Sequence, residues 1–136
     1  MAKKLIPLTI NRSRWVRGNK GGMSSLLNEQ DNMCCLGFAC RKLGLTREAI
    51  DDRPAPDDIA SDDAISDTRF NYLLDKLSPL VRVTRSTGQR KMTNRAATDA
   101  AMEINDDTLI SEEEREKKLI PILKKLGFAV KFVGAS

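Results

Sequence analysis

Histidine is absent from this chain of 136 residues. That excludes an imidazole base, the Ser-His-Asp and Cys-His pairs of nucleophilic catalysis, and every zinc site that needs a histidine ligand. Aromatic residues are scarce, 4% of the chain with a single tryptophan and a single tyrosine, which makes a poor general stacking platform for nucleic acid. No run of about eighteen apolar residues occurs, so no membrane-spanning helix is expected. The basic start Met1-Ala2-Lys3-Lys4 leads into a very short apolar stretch that turns polar by Asn11, too short for a signal peptide. Cysteine is limited to Cys34, Cys35 and Cys40. An odd, closely spaced set argues against a secreted disulfide framework and for a reducing cytoplasm. Phosphate-loop and dinucleotide glycine signatures are missing too.

What is present suffices for a core: 40% of the residues are hydrophobic, and the length fits one compact domain over residues 1–136. The net charge of +4 conceals alternating blocks. Residues 1–50 carry nine basic and three acidic groups, residues 51–63 one basic and six acidic, and residues 82–95 five basic and none acidic. Residues 96–116 then carry one basic and eight acidic groups, and residues 117–136 five basic ones. Acidic helix starts, basic helix ends and mutually paired surface faces account for such a pattern.

Periodicity gives the elements. Residues 5–10 read as a short strand in which Pro7 calls for an edge position. Residues 12–20 read as an exposed, turn-rich segment with Trp15 on or beside a flexible loop, and residues 24–28 as a second strand before a polar turn. Leu36, Ala39, Cys40 and Leu43 make a buried helix stripe closed by Gly44. Thr46 caps another short turn. Residues 51–63, with Pro54, Pro56 and six acids, form an acidic surface loop. Residues 67–77 form a helix stopped by Ser78-Pro79, residues 80–84 a strand, and residues 93–104 a helix whose stripe is Ala97, Ala100, Ala101 and Ile104, ended by a polar turn at Asn105-Asp106. Ser111 and Glu114 open the last helix as a capping box, Leu119, Ile122, Leu123 and Leu126 line it, and Gly127 ends it. Pro121 inside that helix predicts a kink or a late start. Residues 128–133 alternate as a final strand. The sum is an α+β fold with three to four helices on one face of a small antiparallel or mixed sheet.

Few residues invite chemistry. Cys34, Cys35 and Cys40 lack the spacing of redox or zinc motifs, and Cys40 belongs to the core stripe. The paired carboxylates fit no calcium loop and lie in loops or at a helix start. Two basic groups remain as ligand-binding candidates. Arg12, Arg14, Arg17 and Lys20 bracket Trp15, and Arg82, Arg85, Arg90, Lys91 and Arg95 form an acid-free second patch. Guanidinium forks grip phosphate and an indole stacks on a base, so the pair suits a nucleotide or a single strand. A buried tryptophan anchor with its N–H satisfied is the competing reading of Trp15. Asn105 and Asp106 join the candidates because an Asn-Asp turn can orient a neighbouring loop.

Several short blocks together resemble a family of small tailed-bacteriophage proteins. They are Thr9-Ile10, Trp15-x-Arg17-Gly18, Leu26-Leu27-Asn28, Met33-Cys34-Cys35-Leu36-Gly37-Phe38, Ala101-Met102-x-Ile104-Asn105-Asp106, Glu114-Arg115 and Leu126-Gly127-Phe128-x-Val130. Residues 51–91 contribute little. The resemblance implies an accessory protein in the cytoplasm of a bacterial host, without catalytic residues to carry over. The expectation is therefore a non-catalytic binder, an inhibitor of a bacterial defence system that sequesters a nucleotide signal or binds a host protein, with no cofactor and no metal. A small nucleic-acid-binding regulator is the alternative, and a second copy of the chain is a further partner left open.

Overall fold

The computed structural model describes residues 5–18, 25–53, 56, 76, 77, 80 and 95–134. Among them are two strands, β1 (Ile6–Asn11) and β2 (Phe128–Val133), and four helices, α1 (Cys35–Lys42), α2 (Arg47–Ile50), α3 (Arg95–Asp106) and α4 (Glu112–Lys125). The fold is α+β. Its two-stranded sheet is parallel, with Ile6 opposite Phe128 and Asn11 opposite Val133; the expected antiparallel or mixed arrangement is corrected on this point. Parallel pairing requires a crossover, and here nearly the whole chain supplies it. The Ile6 N–H donates to the Gly127 carbonyl at 2.8 Å. In a parallel ladder residues 6, 8 and 10 then face the partner strand, which leaves Pro7 without an N–H on the outer side, where none is needed.

Leu8 and Ile10 of β1, Phe128 of β2, residues 35–40 of α1, Ala101 of α3 and Leu119 and Leu123 of α4 meet in one core. Gly37 lets α1 approach the 25–33 segment, since a Cβ there would stand 2.0 Å from the Leu26 carbonyl oxygen. Several local signals act as read. Thr46 Oγ1 accepts from the Ala49 N–H at 3.2 Å and Ser111 Oγ from the Glu114 N–H at 3.2 Å. Gly44 and Gly127 adopt the left-handed conformation that ends α1 and α4.

Four expectations change. Residues 25–28 form no strand: Leu27 makes an isolated bridge to Asp51, and the Asn28 side chain accepts the Gln30 and Asn32 N–H groups, turning the chain. The segment around Trp15 is not an exposed loop. After a short 3-10 turn at Arg12–Arg14 it runs extended and buried, with the Val16 N–H donating to the Met33 carbonyl and the Met33 N–H to that of Arg14. Asn105 and Asp106 are the last turn of α3 itself, not a turn beyond it. Finally, α4 does not start late but runs through Pro121. Pro121 and Lys117, whose carbonyl loses its partner there, are both exposed, so that carbonyl is open to solvent and the proline is tolerated. Of the helix expected at residues 67–77 only Lys76 and Leu77 are described, both helical, and of the strand at 80–84 only Leu80, in a turn; the rest of both, and most of the acidic loop at 51–63, lie outside the described residues. No helix among the described residues is long and apolar enough to cross a membrane.

Candidate functional site

Trp15, Arg17, Asn105 and Asp106 converge where the chain leaves β1, α3 ends and α4 begins. Trp15 is 1% exposed. Its indole N–H donates to Asn105 Oδ1 at 2.7 Å, the Phe132 ring stacks on it at 5.1 Å between centroids, and the Arg17 guanidinium lies 4.5 Å from its ring centre. Asn105 is fully buried and uses both ends of its amide. Oδ1 also accepts the Cys35 N–H at 3.0 Å, and Nδ2 donates to the Val16 carbonyl and to Asp106 Oδ1, each at 3.0 Å. The Cys34 side chain makes no cap at the start of α1, so an asparagine 70 residues away performs the N-cap function for it.

Two arginines are buried beside this amide. Arg17 donates through Nη1 to the carbonyls of Arg12 and Trp15 and pairs through Nε with Glu112. Arg115 donates through Nη1 to the carbonyls of Ile104 and Asn105 at 2.7 and 3.0 Å, capping the C-terminal end of α3, while its Nη2 stands 3.6 Å from Glu112. Glu112 thus neutralises two cations that could not otherwise be buried. Gly18 closes the arrangement: its N–H donates to the Asn105 carbonyl at 2.9 Å, and a Cβ in its place would stand 2.9 Å from Arg115 Nη2.

The other candidates sit apart from this cluster or on its rim. Arg12 makes a two-pronged pair with Glu116, at 2.9 and 2.7 Å, and reaches the Gly134 carbonyl; the carboxylate holds its guanidinium above the usual arginine range. Arg14 is exposed and paired with Asp31, which Arg47 also contacts. Asp31 and Arg47 line a shallow cavity of about 470 Å³ together with Glu29, Glu48 and Asp51. Lys20, Arg82, Arg85, Arg90 and Lys91 lie outside the described residues, and Arg95 opens α3. The structure therefore unites Trp15 with Arg12, Arg17, Asn105 and Asp106, and directs Arg14 elsewhere.

What this arrangement can do chemically is limited. Burial pushes the Cys34 thiol up to about 11 and the Cys35 and Cys40 thiols well above their ordinary value, so all three stay protonated at neutral pH. Among the described residues no group of three or more thiols or carboxylates is placed to hold a metal ion. The Trp15 ring is buried and its N–H is satisfied, which matches the buried-anchor reading and leaves no exposed ring for a base to stack on. Sequence reasoning passed over Arg115, Glu112 as its partner, and Glu116. One signal was available: Arg115 stands four and eight residues before Leu119 and Leu123, on the buried stripe of α4, and a cation there calls for a buried partner. The chain matches no protein-family model, no curated protein and no solved structure.

Proposed function

We propose that the chain is a non-catalytic binding protein whose target is another protein. In the bacteriophage setting that its motifs resemble, that target is a host protein, and an inhibitor of a bacterial defence system is the role that fits. The observation that carries this reading is the use of Arg12, Trp15 and Arg17 within the fold, with Arg14 held in an exposed pair. Each of these arginines pairs with a carboxylate of another segment, and the tryptophan is 1% exposed. Residues suited to gripping a nucleotide are already gripped. Protonated, buried thiols and the lack of histidine support a role without catalysis.

A second reading, a small nucleic-acid-binding regulator, is favoured by the five basic and no acidic residues at 82–95. The two separate cleanly in experiment. A thermal-shift series with linear and cyclic nucleotides is expected to leave the melting temperature unmoved, and a gel shift with duplex and single-stranded DNA to show no complex. Stabilisation by any nucleotide contradicts the protein-binding reading. A complex that weakens steeply with salt supports the second reading instead.

A further inference from the structure

We propose that the outer edge of β2 receives an added strand from the partner protein, and that this strand is an extended acidic segment with apolar residues at alternate positions. The inference rests on the protein-binding reading above and gives it a surface and a partner chemistry. In the parallel ladder the Ile6 N–H donates to the Gly127 carbonyl. Ala129, Lys131 and Val133 of β2 therefore turn their backbone groups toward β1, while Phe128, Val130 and Phe132 turn theirs away from it. Among the described residues no backbone group meets them there. Side-chain burial shows the same gap. Leu8 and Ile10 on the core face of β1 are 2% and 0% exposed, whereas Val130 and Phe132 on the same face of β2 are only half-buried. The outer edge of β1 is blunted by Pro7, which has no N–H to offer; β2 has no proline and no charge on its core face. Two strands alone make a marginal sheet, and an extended chain added at this edge pairs the outward groups and covers the half-buried side chains together.

Charge and register decide whose strand it is. Lys131 lies between the two outward-facing residues Val130 and Phe132, and Lys124 and Lys125 end α4 just before β2 begins. None of the three pairs with a carboxylate among the described residues, and residues 117–136 carry five basic groups and no acid. A second copy of the chain fits poorly. Antiparallel pairing of two β2 edges about Lys131 sets that lysine directly against itself. Moving the centre to Val130 requires the backbone of Phe128, which is 0% exposed. Moving it to Phe132 requires Gly134, which leaves strand geometry at φ +83° and whose carbonyl is held by Arg12. An acidic residue opposite Lys131 replaces the clash with an attraction, so the occupant is a strand of a different protein with Asp or Glu on that face and apolar residues opposite Val130 and Phe132.

Amide hydrogen exchange of the full-length protein, resolved by residue, reads this edge directly. In the free protein the Ala129, Lys131 and Val133 amides are expected to exchange slowly and those of Val130 and Phe132 quickly. A synthetic peptide of alternating Val and Glu, at about 1 mM, is expected to slow the Val130 and Phe132 amides by about tenfold or more. The matching Val-Lys peptide should bind about tenfold more weakly, and Lys131→Glu should reverse that preference. Lys131 is exposed, so its replacement should leave the melting temperature unchanged. Slow exchange at Val130 and Phe132 in the free protein at every concentration means that the edge is already paired, which overturns the proposal and leaves protein binding standing. Protection that grows with protein concentration alone makes the occupant a second copy and overturns it too, as does an edge indifferent to both peptides or to their charge. Protection by duplex or single-stranded DNA overturns this inference and the protein-binding reading together.

Discussion

Asn105 is the residue on which the most separate pieces depend. Its amide joins the indole of Trp15, the first N–H of α1, the Val16 carbonyl and Asp106. Asn105→Ala strands two buried donors, and each unsatisfied buried group costs about 1–3 kcal/mol, so a loss of roughly 3–5 kcal/mol in denaturant unfolding is expected. Asn105→Leu, similar in size but without either polar end, should be no better. Gly37→Ala is expected to be at least as damaging, because the added carbon meets the Leu26 backbone and not a flexible tip. The thiols give a pH signature of definite sign. Burial raises Cys34 from 9.0 in the open chain to about 11, with desolvation the main cause, and raises Cys35 and Cys40 likewise. The unfolded chain therefore loses these protons first, so their contribution is complete below about pH 9 and declines as pH rises toward 11. Thermal melts across that interval should fall steadily, and a thiol reagent at neutral pH should titrate the cysteines only after denaturation.

At the scale of elements, α4 carries two opposed local choices. Ser111 and Glu112 to Glu114 favour its start, whereas Pro121 removes a bond from its interior. Pro121→Ala should stabilise the protein by about 1–3 kcal/mol, since the site is exposed and already helical. An unchanged melting temperature would mean that the helix has absorbed the proline by other means. Elements like this one were legible because their signals are local: Gly44, Thr46, Ser111 and Gly127 each act within a few residues of themselves. The junction was not legible, because its partners lie far apart in sequence. Nothing near Trp15 announces that Asn105, 90 residues on, takes its N–H, and an acid-poor run around Arg12, Arg14 and Arg17 looks solvated until Glu112, Glu116 and Asp31 are placed against it. The stripes themselves held the missed clue. Asn105 follows Thr98 and Ala101 at helical spacing, and all three are buried, so polar side chains at core positions marked a buried network.

The whole molecule is closed by its ends. β1 and β2 pair in parallel, Phe132 covers Trp15, and Glu116 and the Gly134 carbonyl hold Arg12. Residues 128–133 supply the whole of β2 and the ring that packs on Trp15, so a chain stopped after residue 127 is expected to lack a native circular-dichroism melt altogether. The same closure places the buried Arg17–Glu112–Arg115 group between the two halves of the chain. Glu112→Ala leaves two cations facing each other and should cost on the order of 3 kcal/mol, at the low end of the range for such losses because Glu112 is 32% exposed. The central claim is that Trp15 serves the fold and not a ligand, and a chain with a single tryptophan allows a direct test by its own fluorescence. The account predicts a blue-shifted emission that resists acrylamide and iodide, is unmoved by saturating nucleotides, and shifts to the red in Asn105→Ala. A water-exposed emission in the native protein, or quenching by a nucleotide, would contradict it.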